Sequence, residues 1–148
     1  MSVNPFASFN VELPRKYSED IKKYCKTGGG GVSLEYAPFS RQVDFWYFAF
    51  LHAVQERLTP VIEKDTVNIT PASILSTDPY RISHIQLAYF AIAENIDALA
   101  NHRKVFDFSL QMANAGIPFV LQILSCDDDK PLWNLIEQIE AVIAAQED

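Results

Sequence analysis

Cysteine is scarce in this chain, and its placement excludes several classes of protein. The two cysteines, Cys25 and Cys126, lie far apart in the sequence and have no closely spaced partners. This pattern is typical of neither a disulfide-stabilised secreted domain nor a zinc site, and it favours a reducing compartment such as the cytoplasm. Three aspartates follow Cys126 and disfavour its thiolate. We therefore expect neither cysteine to be a catalytic nucleophile.

Long apolar runs and targeting signals are missing as well. The chain begins without a basic segment followed by an apolar run, and its most continuous apolar stretch, Val43–Leu51, is interrupted by Asp44. A membrane-spanning helix needs roughly 20 apolar residues. A signal peptide needs a basic segment and an apolar run after it. We therefore expect no export signal, no membrane span and a cytoplasmic location.

Strong catalytic and cofactor motifs are also missing from the sequence. It contains no nucleophile elbow, kinase motif set, dinucleotide fingerprint or zinc-hydrolase motif. The glycine run Gly28–Gly31 has the flexibility to cradle a phosphate, but no Gly-Lys-Ser/Thr follows it, so a hinge is the favoured interpretation. The sequence therefore predicts a protein that is not an enzyme and has no cofactor.

Negative charge predominates, with 19 Asp and Glu against 12 Lys and Arg and a formal net charge of −7. An acidic body repels a phosphate backbone, so nucleic-acid binding is disfavoured except through one basic segment. That segment contains Arg15, Lys16, Lys22, Lys23 and Lys26. The acidic remainder leaves one alternative open, a regulator that imitates the charge of nucleic acid.

The spacing of apolar residues predicts an all-α fold. We expect a compact bundle of about five helices over residues 15–148, with a glycine-rich loop, preceded by an extended arm at residues 1–14. The most apolar segment, from Arg41 to about Leu58, is predicted to be the central buried helix. A single apolar stripe predicts a last helix from Pro131 onward.

Three other segments are less regular. An isoleucine seam predicts one continuous helix from Pro79 to about Ala100. Residues 61–70 alternate between apolar and polar and fit either a short strand or an irregular crossover, of which we favour the crossover. The helix before Gly116 is predicted to end there because Pro118 follows, which leaves residues 117–125 open as helix or strand.

Apolar side chains near both ends of the chain favour protein–protein docking. The first hypothesis is a non-catalytic interaction or accessory subunit that docks on itself or on a larger protein partner. The predicted contact residues are Phe6 and Phe9 in the arm and Leu132, Trp133, Ile136 and Ile139 in the last helix.

A small helical metal-binding protein or enzyme is the second hypothesis. His52 and Glu56 are four residues apart and share a helix face, Asp44 lies two turns earlier, and Glu94 would come from another helix. Helical di-metal sites use Glu-x-x-His pairs on more than one helix, and such pairs are missing here. No metal is therefore predicted as the first interpretation.

Two segments place arginine and aspartate close to helix starts: Pro38-Phe39-x-Arg41-x-Val43-Asp44-x-Trp46 and Ile74-Leu75-x-x-Asp78-Pro79-x-Arg81-Ile82. They resemble small uncharacterised bacterial proteins that accompany large ATPases in phage-defence and mobile-element operons. The resemblance covers residues 38–124 and implies an accessory subunit in antiviral defence. Because cations in a first turn oppose the helix dipole, Arg41 and Arg81 are each predicted to have a specific partner, either Asp44, Asp78 or a bound ligand.

Overall fold

Helix is the main secondary structure of the chain. The computed structural model describes residues 3–28, 33–126 and 130–146, so most of the predicted glycine hinge and the aspartates at 127–129 lie outside the described residues. The helices are α1 (Arg15–Lys22), α2 (Gln42–Gln55), α3 (Tyr80–Ala93), α4 (His102–Ser125) and α5 (Pro131–Gln146), with 3-10 helices at Lys26–Gly28, Ala72–Thr77 and Ile96–Ala100. The strands are β1 (Asn10–Pro14) and β2 (Thr66–Pro71).

Helices α2 and α4 pack against each other and form the centre of the core. The prediction of a central buried helix is confirmed in α2, whose buried residues are Val43, Phe45, Trp46, Tyr47, Ala49, Phe50 and Ala53. The two helices come close enough that a Cβ atom on Gly116 of α4 would lie 2.1 Å from the carbonyl oxygen of Ala49. Only glycine fits at this crossing.

The two strands correct the all-α prediction. Of the residues that the structure describes, 65% are helical, but β1 pairs antiparallel with β2, with Val11 opposite Thr70 and Leu13 opposite Val67. Residues 66–71 are therefore strand, and the irregular crossover expected over residues 61–70 is wrong in this part. Val11 and Leu13 are fully buried. Because their burial stabilises the pairing, the end of the predicted arm forms β1 and pairs with β2 instead of remaining free.

Helix α4 also differs from the prediction, because it passes through Gly116 and Pro118 without ending. Proline inside a helix costs about 3 kcal/mol. Beyond that proline α4 buries Val120 and Leu124, and Ile117 beside it is buried as well. Each such side chain stabilises the fold by roughly 1.5–3 kcal/mol when fully buried, which outweighs the cost. Residues 117–125 are helical.

The single helix predicted from Pro79 to Ala100 is two elements. Helix α3 ends at Ala93, where Glu94 adopts a left-handed conformation with φ 54°. A 3-10 helix follows, capped by Asn95, whose side chain accepts a hydrogen bond from the backbone N–H of Asp97 at 3.0 Å. The isoleucine seam is consequently broken: Ile82 and Ile85 are buried, whereas Ile92 and Ile96 are exposed.

Candidate functional site

The two segments that carry the resemblance meet in one cluster of ion pairs at the start of α2 and α3. Arg41 donates from Nε and Nη2 to the two carboxylate oxygens of Asp44, at 3.2 and 2.9 Å. Arg81 donates from Nη1 to the same carboxylate at 3.0 Å, and Arg41 also reaches Asp78 at 3.4 Å. Both arginines therefore have the aspartate partners that the sequence predicted for them.

Aromatic rings close this cluster on one side. The Arg81 guanidinium lies over the ring of Tyr47, 4.5 Å from its centroid, a geometry that favours cation–π attraction. The Tyr47 hydroxyl is hydrogen-bonded to Nδ1 of His84. Burial raises the pKa of Tyr47 to about 12, although Arg81 opposes this shift. The phenol is consequently neutral at physiological pH.

The charges of this cluster are satisfied mainly within the protein. Burial alone would raise the pKa of Asp44, but the hydrogen bonds from Arg41 and Arg81 hold it below its ordinary value. Two guanidiniums and two carboxylates cancel in formal charge, and the Arg81 side chain is only 12% exposed. The arrangement therefore clamps the first turn of α3 onto the first turn of α2, and it does not favour Arg41 or Arg81 as a ligand-binding pair.

Helix α3 and the 3-10 helix after it expose several large apolar side chains, and this exposed surface is called the outer face of α3. Only Ile82 and Ile85 of this helix are buried, while Leu87 is 63% exposed and Ile92 is 64% exposed. Ile96 in the following 3-10 helix is 70% exposed. The one charged residue of α3, Arg81, is turned into the ion-pair cluster, so the face carries no charge along most of its length.

Helix α5 presents a second apolar face. Its buried residues are Asn134 and Leu135, and the Asn134 side chain donates to the Leu124 carbonyl at the end of α4. Of the contact residues predicted for this helix, Leu132 and Ile136 are half-buried, and Trp133 and Ile139 are exposed.

The contact residues predicted in the arm belong to the core instead. Phe6 is fully buried, and its ring centroid lies 5.3 Å from that of Phe106. Phe9 contacts the same ring at 5.5 Å and is covered by the Arg103 guanidinium. The Phe6 ring therefore lies inside the core, and the Phe9 ring is half-buried against it, because the pairing of β1 with β2 brings this part of the chain onto α4.

The basic segment in and after α1 is largely neutralised by nearby acids. Lys16 pairs with Glu63 at 3.0 Å, and Arg15 pairs with Asp65 at 2.9 Å. Lys22 and Lys23 each pair with an acid of the same helix. Four of the five cations of this segment are therefore paired with an acid of the protein itself.

The four residues considered for a metal site do not come together. Asp44 is held by two arginines, Glu94 caps the end of α3, and only His52 and Glu56 line a common groove. Among the described residues there is no group of three or more His, Cys, Asp or Glu side chains that could hold a metal ion. The geometry gives the metal hypothesis no support.

That groove lies between α2, α4 and α5 and has a volume of about 640 Å³. Phe119 and Gln122 of α4 line it together with Cys126, which is exposed. Burial lowers the pKa of His52 below its ordinary value, with Glu56 opposing the shift. Sequence reasoning missed the groove because it ended the preceding helix at Gly116, whereas the groove wall is the part of α4 beyond Pro118.

The chain matches no protein-family model, and it gives no significant match to a curated protein or to a solved structure. Within the part of the chain that the structure describes, α4 alone is long and apolar enough to cross a membrane by length and composition. Of its most apolar stretch, 61% is buried inside the protein, as in a core helix. The expected absence of a membrane span and the resemblance to defence proteins remain predictions.

Proposed function

We propose that this protein is a non-catalytic accessory subunit that binds a larger protein partner through the outer face of α3 and the 3-10 helix that follows. The observation that carries this proposal is an exposed helix of 14 residues whose single charge is turned inward. Surface helices of soluble proteins ordinarily place charged residues opposite their buried stripe. Exposed apolar patches of this kind mark interaction sites.

The exposed apolar side chains of this face supply part of the energy that a complex needs. Leu87, Ile92 and Ile96 are each about two-thirds exposed, and burying what remains of such a side chain stabilises a complex by roughly 1–2 kcal/mol. The three together supply roughly 3–6 kcal/mol, which corresponds to a factor of about 10² to 10⁴ in affinity. Trp133, which is 52% exposed on the separate apolar face of α5, is of a residue type that is enriched at interface hot spots.

The resemblance of residues 38–46 and 74–82 to accessory proteins of phage-defence operons supports a partner of the large ATPase class and a bacterial antiviral setting. Those residues surround the ion-pair cluster that fixes the start of α3. The segments that carry the resemblance and the face proposed to bind the partner are therefore mechanically connected.

The proposal is tested by a double variant, Leu87→Lys with Ile92→Lys, in a co-purification from bacterial lysate. We expect the variant to keep the thermal melt of the wild-type chain, since both side chains are exposed, and to lose a stoichiometric partner. Ile62→Lys is the matched control, because Ile62 is 74% exposed and lies outside the helices. A partner retained at the wild-type ratio by the α3 variant would contradict the proposal.

Docking of the chain on itself is distinguished by the molar mass in solution. If light scattering gives a dimer for the wild type and a monomer for the α3 variant, the face binds a second copy instead of a larger partner. A monomer in both cases, with partner loss in the variant, supports the accessory role.

A further inference from the structure

We propose that the groove between α2, α4 and α5 binds a small organic cation, an amine carried on an apolar body. This inference is independent of the docking role, because no residue of α3 lines the groove. Its walls are the C-terminal parts of α2 and α4 and the middle of α5. Its lining residues include His52, Glu56, Phe119, Cys126 and Glu137.

The size and composition of the groove suit a small molecule. Pockets of roughly 300–1,000 Å³ hold ligands of drug size, and this groove has about 640 Å³. Leu58, Phe119 and Ile123 give it an apolar wall. The Phe119 ring, which lies 6.1 Å from the His52 ring, is 45% exposed and presents a π surface that attracts cations.

The electrostatics of the groove select a positive charge. Glu56 and Glu137 both line it, and neither makes an ion pair with lysine or arginine in the part of the chain that the structure describes. No lysine or arginine is among the lining residues; Arg57 lines an adjoining groove that shares His52 and Gln138 with this one. Because burial lowers the pKa of His52, this side chain is mainly neutral at pH 7 and does not compensate the carboxylates.

Two helix ends strengthen the same preference. Glu56 is the C-cap of α2, and Cys126 is the C-cap of α4. The C-terminal end of a helix carries a partial negative charge that favours cations. The last turn of α4 contains no basic residue, and that of α2 contains only His52. The negative ends of two helices therefore border the groove, and neither last turn contains a lysine or arginine.

Three indole compounds of similar shape test the proposal by NMR titration of the ¹⁵N-labelled chain. Tryptamine carries an amine, tryptophol carries a hydroxyl in its place, and indole-3-propionate carries a carboxylate. We expect tryptamine to shift amides at the ends of α2 and α4 and in the middle of α5, tryptophol to bind about tenfold more weakly, and indole-3-propionate to bind least well.

Variants then assign the preference to the carboxylates. Glu56→Gln and Glu137→Gln should each weaken tryptamine binding about threefold and together about tenfold, leaving tryptophol binding unchanged. Glu140→Gln on α5, outside the lining residues, is the matched control and should have no effect. Equal binding of tryptamine and tryptophol by the wild type, or no shifts with millimolar tryptamine, would overturn the proposal whatever the outcome of the partner experiments.

Discussion

Replacing Gly116 with alanine tests how closely α2 and α4 approach. In an ordinary helix interior this change stabilises by about 1 kcal/mol, because alanine is the better helix former. Here the added Cβ would lie 2.1 Å from the oxygen, 2.9 Å from the carbon and 3.4 Å from the Cα of Ala49. All three are backbone atoms, so no side chain can move aside. To restore ordinary contact distances, the two helices must move apart by roughly 1 Å or more.

The magnitude follows from two opposing terms. Overpacking in a well-packed core costs typically 1–3 kcal/mol, and a backbone clash this close belongs at the upper end. Subtracting about 1 kcal/mol of helix propensity leaves a net loss of about 2 kcal/mol in the free energy of unfolding. Urea unfolding followed by circular dichroism measures this loss.

A second substitution calibrates the helix-propensity term. Ala91 is exposed on α3, and Ala91→Gly should cost about 1 kcal/mol through helix propensity alone. Ala49→Gly introduced together with Gly116→Ala should not restore stability, because the clash involves the backbone of Ala49 and not its side chain. A Gly116→Ala variant as stable as the wild type or more stable would refute the close crossing.

Three further predictions concern titratable groups. Cys126 is exposed, whereas Cys25 is buried with a pKa raised to about 12 by burial and Asp44, so a disulfide reagent should modify one thiol in the native protein; rapid modification of two would contradict this. Asp44→Asn should lower the free energy of unfolding by about 2 kcal/mol, which is less than the loss expected for a fully buried pair. The control Asp107→Asn, in an exposed pair, should lower it by under about 0.5 kcal/mol. Equal effects of the two variants in urea unfolding would contradict the clamp. Because burial lowers the pKa of His52 below 6.5, the unfolded chain binds more protons between the two pKa values. Stability should therefore rise with pH up to about 6.5, and an unchanged slope in His52→Gln would refute this.

The helices that sequence pattern predicted best are those whose own residues determine burial. Helix α2 is apolar on nearly every side. The apolar stripe that predicted the last helix lies within α5, which runs from Pro131 to Gln146. The end of α4 was mispredicted because local rules end a helix near Gly116 and Pro118. Contacts with residues far away in sequence reverse that outcome: Gly116 fits against Ala49, and Leu124 is buried beyond the proline.

The sheet and the candidate sites depend on contacts that a local pattern does not contain. Val67 has a partner in Leu13, far upstream, and the alternation around it fits a strand only when that partner is present. Phe6 was predicted to contact a partner because an apolar arm with no visible neighbour resembles a docking segment. The pairing of β1 with β2 instead places the Phe6 ring against Phe106. Arg41 and Arg81 were easier to interpret, because cations in a first turn require a neighbouring acid.

The ion-pair cluster and the apolar face of α3 are two parts of one arrangement. A helix that points its apolar side chains outward gains little from burial, and α3 buries only Ile82 and Ile85. The hydrogen bond from Arg81 to Asp44 adds a polar contact at its first turn, beside the packing of Ala88 and Tyr89 against the core. Polar contacts have defined directions, whereas apolar packing tolerates sliding, so the cluster sets the direction of α3. We infer that the arginines and aspartates orient the proposed docking face without themselves contacting the proposed partner.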